Sequence, residues 1–212
     1  MKKRKIAILG STGTVGVSTL DVIKKNLSSF SLELLTANKN YNKLINQAKK
    51  FKPRSVLIRN EKFYHKVKIA LNNTKIKVYT GDISLQKIIS GKLDYTMSCI
   101  VGIAGLQPTV DAIKISKTVA IANKESIICG WEILSKLIKK HKTKILPVDS
   151  EHFSIMELTK DISDSDVEEI IITASGGPFL KLPRAKLNNV SPSQAINHPN
   201  WKMGKKISVD SA

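Results

Sequence analysis

Asp149 and Glu151 stand two residues apart in the stretch PVDSEHFS (Pro147 to Ser154), with Ser150 between them and His152 beyond. Carboxylate oxygens at this spacing suit a hard divalent cation such as Mg²⁺ or Mn²⁺, which keeps coordination positions open for water or substrate. The same residues also fit an acid/base pair, or a capped turn, because Asp and Glu are favoured at helix N-termini. One histidine beside two carboxylates is not a zinc pattern, so His152 suits a supporting role.

A second pattern with chemical content opens the chain. KIAILGSTGTVGVSTLDVI sets Gly10, Gly13 and Gly16 between an apolar run and a helix-period segment. Glycines there allow a tight turn and close approach of backbone to a pyrophosphate, whose charge meets free N–H groups at a helix N-terminus. The second apolar run ends in Thr36, Ala37, Asn38, Lys39 and Asn40. An NAD site there usually carries Asp or Glu for the ribose 2′-hydroxyl, whereas NADP needs positive charge for the 2′-phosphate. NADPH is therefore favoured, with Lys39 facing the phosphate.

These turns need elements to hold them. Lys5–Leu9, Leu32–Thr36, Ser55–Ile58, Ile76–Tyr79, Tyr95–Ile100, Thr118–Ala122 and Lys144–Leu146 read as strands. Val17–Lys25, Tyr41–Phe51, Phe63–Leu71, Pro108–Ile115 and Trp131–Lys140 place apolar residues at three- and four-residue spacings, as amphipathic helices do. Alternation of this kind predicts an α/β fold, a Rossmann-like doubly wound parallel sheet. Ligands collect beyond the carboxyl ends of such strands. After Pro147 the rhythm changes: a helix near Glu151, an acidic loop DISDSDVEE, a strand over Glu169–Thr173, a sharp turn at SGGPF, a capped helix from Ser191, and a strand over Lys206–Val209. We expect a nucleotide-binding domain over residues 1–148, then the start of an α+β catalytic domain over 149–212.

The 212 residues can bury a substantial core, and two cysteines support neither a disulfide framework nor a cysteine-rich zinc site. A reduced, cytoplasmic setting is the simplest expectation. No stretch is long and apolar enough to span a membrane. The formal charge of +18 invites thoughts of nucleic acid, but the lysines are scattered and aromatics make up only 5% of the chain. No stacking platform for bases emerges, and no specific nucleic-acid binding is expected. Attraction to phosphorylated small molecules is.

Seven motifs run in order along the chain: GSTGTVG, GIAGLQPT, IANKES, LPVDSEH, ASGGPF, HPNWKMG and KKISVDSA. The set closely resembles the 1-deoxy-D-xylulose 5-phosphate reductoisomerase family over the whole length. That resemblance implies an NADPH- and divalent-metal-dependent rearrangement and reduction of a small phosphorylated sugar, with Mg²⁺ or Mn²⁺ as the metal and a homodimer as the assembly. It implies cofactor contacts from Thr12, Gly13, Thr14 and Val15, from Asn38, Lys39 and Asn40, from Asn123 and Glu125 in the ANKES loop, and from Gly204. Asn38 stands where relatives often have glycine, and Asn tolerates the positive φ such a position can demand. The metal ligands would be Asp149 and Glu151. Substrate contacts would fall to Lys124, Ser150, Ser175, His198 and Ser211, under a lid carrying Trp201 and Met203. In the family SVDSA leads into a stretch with further substrate contacts and another metal carboxylate. The chain could thus be a fragment, a truncated product or half of a split enzyme, and low turnover is expected of the 212 residues alone. The alternative is a non-catalytic nucleotide-binding or basic interaction protein.

Overall fold

In the computed structural model, which describes residues 3–200 and 208–209, seven strands form one parallel sheet. They are β1 (Arg4–Leu9), β2 (Phe30–Ala37), β3 (Ser55–Ile58), β4 (Lys77–Thr80), β5 (Leu93–Ser98), β6 (Ser116–Ile121) and β7 (Lys144–Pro147), in the spatial order β4-β3-β2-β1-β5-β6-β7. All six pairings are parallel. Parallel neighbours need crossovers, and the helices supply them: α1 (Thr14–Lys25), α2 (Tyr41–Phe51), α3 (Tyr64–Ala70), the short α4 (Leu85–Ile88), α5 (Leu106–Ile115) and α6 (Lys124–His141). Strand order reverses beside β1, which has β2 on one side and β5 on the other.

The sheet is covered on both faces, which explains why its strands read as apolar runs. Successive side chains of β1 point to opposite sides: Ile6 and Ile8 join one core with Leu20, Ile23, Leu44 and Ala48 of α1 and α2. Ala7 and Leu9 join the other with Val110, Ile113 and Leu134 of α5 and α6. Polar residues inside this packing are tied down. Thr96 and Ser116 Oγ atoms lie 2.8 Å apart, and Thr143 Oγ1 donates to the carbonyls of Ile113 and Ser116 at 2.7 and 3.1 Å.

Helix α6 begins at Lys124, seven residues before the expected Trp131, because Asn123 caps it. Gly130, inside this helix, is a packing residue: a Cβ would crowd the Leu106 side chain of α5. Helix α7 (Ser150–Thr159) starts where expected.

The backbone divides into two compact units, Met1–Glu157 and Leu158–Ala212. In the second, the described residues contain 3-10 turns at Asp164–Asp166 and Arg184–Asn189 and a short helix, α8 (Pro192–Ala195). As expected, Ser191 and Gln194 form a capping box at its start. The strand expected over Glu169–Thr173 does not form. Its Ile170, Ile171 and Ile172 have strand-like chemistry, but a strand needs a neighbour to take its backbone hydrogen bonds, and the described part of this unit offers none. Of the strand expected over Lys206–Val209, only Ser208 and Val209 fall among the described residues, and both are helical.

Candidate active site

The turn after β1 is built from its glycines and from a polar lock. Gly10 has φ +85°, and a Cβ there would stand 2.9 Å from the Cys99 carbonyl oxygen. Gly16 is the close-packing position: a Cβ would overlap the Gly10 carbonyl oxygen and stand 2.6 Å from Ser11 Cα. Ser11 is buried, donating its N–H to Thr36 O at 2.9 Å and its hydroxyl to Gln47 Oε1 at 2.8 Å. Gln47 Nε2 returns a bond to Ser11 O at 2.8 Å, and Gly10 N–H donates to Thr36 Oγ1 at 2.9 Å. The turn is thereby fixed to both β2 and α2. Gly13 caps α1 without a side-chain acceptor, and no acidic residue occupies the first turn. The first N–H groups of α1, at Thr14 and Val15, therefore present donors and the positive end of the helix dipole to an anion.

A cleft of about 560 Å³ opens beside this turn, lined by Gly10, Thr12 and Gly13, by Asn38 and Arg59, and by Cys99 and Ile100 among others. It lies across the carboxyl ends of β1 to β5, at the reversal of strand order, where doubly wound sheets take their ligands. Cys99 is not a nucleophile there. Burial pushes its thiol up to about 12, and Sγ–H donates to Leu9 O at 2.9 Å.

At the end of β2, Asn38, Lys39 and Asn40 are all exposed. Asn40 caps α2, its Oδ1 accepting the Lys43 N–H at 3.2 Å. Among described non-glycine residues only Lys52 and Lys142 have positive φ, so Asn38 meets no left-handed requirement and glycine is not needed there. Lys39 does not line the cleft.

Asn123 is only 2% exposed, and its amide joins two segments. Oδ1 accepts the Ser126 N–H at 2.9 Å, while Nδ2 donates to the carbonyls of Ile100 and, at 2.8 Å, Gly102. The loop after β5 is thus pinned to the start of α6. Lys124 and Glu125, expected in a loop, instead form the first turn of this helix. Ser126 Oγ there is the one buried side-chain polar atom without a hydrogen-bond partner among the described residues.

At the end of β7, Asp149 closes the N-terminus of α7. Its Oδ1 accepts the His152 N–H at 3.0 Å and lies 2.6 Å from His152 Nδ1, and Ser150 Oγ donates to Glu151 Oε2 at 3.1 Å. Partial burial pushes the Asp149 carboxyl up, but the His152 backbone and ring hydrogen bonds, with the charge of that ring, outweigh it and hold the carboxyl below its ordinary value. Asp149 is consequently anionic across the neutral range, as a metal ligand must be. No group of three His, Cys, Asp or Glu able to hold a metal occurs among the described residues.

In the second unit His198 is 7% exposed, and its Nε2 lies 3.1 Å from Ser175 Oγ. The Asn200 N–H donates to His198 Nδ1 at 3.1 Å. A backbone N–H can only donate, so in the neutral ring the proton sits on Nε2 and points to Ser175. Ser175 Oγ also accepts the Gly177 N–H at 3.3 Å, in a turn where Gly176 and Gly177 have φ of +74° and +62°. Its own hydroxyl hydrogen is left to donate outward. Trp201, Met203, Gly204 and Ser211 lie outside the described residues. Reading the sequence did not single out Ser11, Gln47 or Arg59; the polar lock carries no local signal, since Gln47 sits in a regular helix 36 residues from Ser11.

Comparison with known proteins bears on these arrangements. A family model described as 1-deoxy-D-xylulose 5-phosphate reductoisomerase matches residues 6–130, and one for that enzyme's C-terminal domain matches residues 145–212. The chain is 51% identical over 211 residues to the 1-deoxy-D-xylulose 5-phosphate reductoisomerase of Pelagibacter ubique, covering 99% of this chain and 54% of that protein. With the Bacteroides fragilis reductoisomerase it shares 43% identity over 213 residues, covering 100% of this chain and 55% of the relative. The Zymomonas mobilis reductoisomerase in complex with NADPH superposes with a TM-score of 0.90 at 38% identity, covering 100% of this chain and 54% of that one. A reductoisomerase complex with NADPH, fosmidomycin and magnesium gives 0.86 at 32% identity, over 98% of this chain and 54% of the other. The chain spans about half the length of the curated relatives it matches. It belongs to the 1-deoxy-D-xylulose 5-phosphate reductoisomerase family.

Proposed function

We propose that this chain provides the NADPH-binding part and a portion of the catalytic site of an oxidoreductase that isomerises and reduces 1-deoxy-D-xylulose 5-phosphate to 2-C-methyl-D-erythritol 4-phosphate, in the non-mevalonate route to isoprenoids. The observation that carries the reading is the locked glycine turn opening on a cleft at the reversal of strand order. Family membership and a solved relative that holds NADPH support it.

In this reading Thr12, Gly13, Thr14 and Val15 bind the pyrophosphate, with the α1 N-terminus neutralising it. Asn38, Lys39 and Asn40 attend the adenosine ribose, and Asn123, Glu125 and Gly204 the nicotinamide half. Lys124 and Ser150 bind the sugar near the reacting carbons. Asp149 and Glu151 would hold Mg²⁺, the metal present in a solved reductoisomerase relative, or Mn²⁺. The metal supplies Lewis-acid polarisation of the ketone and adjacent hydroxyl. His198 orients Ser175 through its Nε2 proton, so that the serine hydroxyl donates to the substrate phosphate alongside Ser211. Trp201, which the family resemblance assigns to a lid, would serve to keep water from the reduction. A homodimer and a cytoplasmic setting belong to the same reading; no helix among the described residues is long and apolar enough to cross a membrane.

The test is direct. Titration of the 212-residue chain with NADPH, followed by nicotinamide fluorescence, should saturate and be weaker with NADH. Turnover should require the substrate, NADPH and Mg²⁺ or Mn²⁺ together in the whole protein. A chain that ignores NADPH but binds DNA or RNA tightly and salt-sensitively would instead be a basic interaction protein.

A further inference from the structure

Resting on the dinucleotide reading above, we infer that Arg59, rather than Lys39, is the cation that selects the ribose 2′-phosphate. Arg59 follows β3, directly beside the end of β2 where a dinucleotide's adenosine ribose is met. Its backbone is stitched to both neighbours. The Arg59 N–H donates to Ala37 O at 2.9 Å, the Asn60 N–H donates to Asn38 O at 3.2 Å, and the Gly81 N–H donates to Arg59 O at 3.2 Å. The ends of β2, β3 and β4 thus bring Asn38, Arg59 and Gly81 to one level on the cleft wall. Arg59 is the one cation among the described residues lining that cleft.

The side chain is held there and remains available. Its Nη2 lies 2.7 Å from Asp82 Oδ1, on the loop after β4. The Asp82 side chain is 79% exposed, and an ion pair so open to water contributes little stability. The guanidinium can exchange this carboxylate for a phosphate at small cost. It has five N–H donors in a planar fork that matches phosphate oxygens, and one contact with Asp82 leaves most of them unengaged. Asn38, neutral and exposed at the end of β2, puts no carboxylate in the phosphate's way.

The experiment is a pair of titrations on the full 212-residue chain and its variants, with NADPH and NADH read by nicotinamide fluorescence, and with 2′,5′-ADP and 5′-ADP as competitors. Loss of a charge-assisted hydrogen bond predicts that Arg59→Gln weakens NADPH and 2′,5′-ADP by about 10- to 100-fold. NADH and 5′-ADP should change by less than about twofold, and Lys39→Gln should have the smaller effect on NADPH. Arg59→Lys should restore part of the preference. The side chain is exposed and β3 pairs through its backbone, so the variants keep the fold. Equal loss of NADPH and NADH, which marks stacking on adenine, overturns the inference and leaves the dinucleotide reading intact. So does a selectivity that follows Lys39 and ignores Arg59. If the unsubstituted chain binds neither dinucleotide, the underlying reading fails and this inference with it.

Discussion

Asp149 combines two roles that are separable by substitution. It caps α7 through the His152 N–H and holds a negative charge beside Glu151. Asn accepts the same capping bond without the charge, whereas Ala does neither. Asp149→Asn should therefore weaken Mn²⁺ binding about tenfold or more, read by the Mn²⁺ EPR signal, while Asp149→Ala should also lower stability by about 1 kcal/mol. The depressed carboxyl adds a pH signature. Because its folded-state pKa lies below the unfolded value, the group contributes stability above the unfolded value of about 3.9 and loses it as pH falls through the lower folded value. The gap in unfolding midpoint between the parent chain and Asp149→Asn should accordingly be full at pH 6 and shrink as pH falls below the ordinary carboxylate range; a gap that widens on acidification would contradict the assigned contacts. The residue types at this site were legible because two carboxylates and a serine after a strand are a local pattern. The Asp149–His152 contact was not, since side-chain direction around a helix start is not written in spacing.

At the scale of elements, the turn after β1 depends on residues that a motif does not contain. Its glycines are visible in the sequence, yet the turn is held because its own Ser11 is bonded to Thr36 of β2 and Gln47 of α2. Gln47→Leu would leave the buried Ser11 carbonyl without its donor and the Ser11 hydroxyl with only Thr36 O, at 3.2 Å; an unsatisfied buried group costs about 1–3 kcal/mol, so both stability and NADPH affinity should fall. Gly16→Ala places a methyl against the Gly10 carbonyl oxygen and Ser11 Cα, both backbone. Nothing there can rotate away, so α1 must shift off β1; NADPH binding measured by fluorescence should fall by at least about tenfold, and retained affinity would show that the turn tolerates displacement. The strands were readable for a simple reason: burial on both faces makes each a short apolar run between turn residues. Glu169–Thr173 carries the same local preference and fails, because pairing is a property of neighbours and not of the segment.

For the whole molecule, the contrast between the two units sets what ligand binding can stabilise. Residues 3–157 hold the seven strands and both apolar cores. Among residues 158–200, Gly177 and His198 alone are buried, and Leu158, Ile171, Ile172 and Leu180 lie open, from 66% to 74% exposed. Local opening free energies follow buried apolar contact and backbone pairing, so the two regions should exchange their amide hydrogens on different scales. We expect strong protection through β1, β2, β5 and β6, and near-complete exchange within seconds to minutes across residues 160–190. Saturating NADPH stabilises only states that bind it, by about 2.7 kcal/mol at a hundredfold excess over Kd. Its added protection should therefore centre on the Gly10–Val15 turn and the strand ends around Asn38 and Asn123. Hydrogen exchange with mass spectrometry, run with and without NADPH, reads both effects in one experiment. Uniform protection of residues 160–190 without ligand would mean that this unit gains a partner for its exposed isoleucines, such as a second copy of the chain, and dilution would then remove the protection.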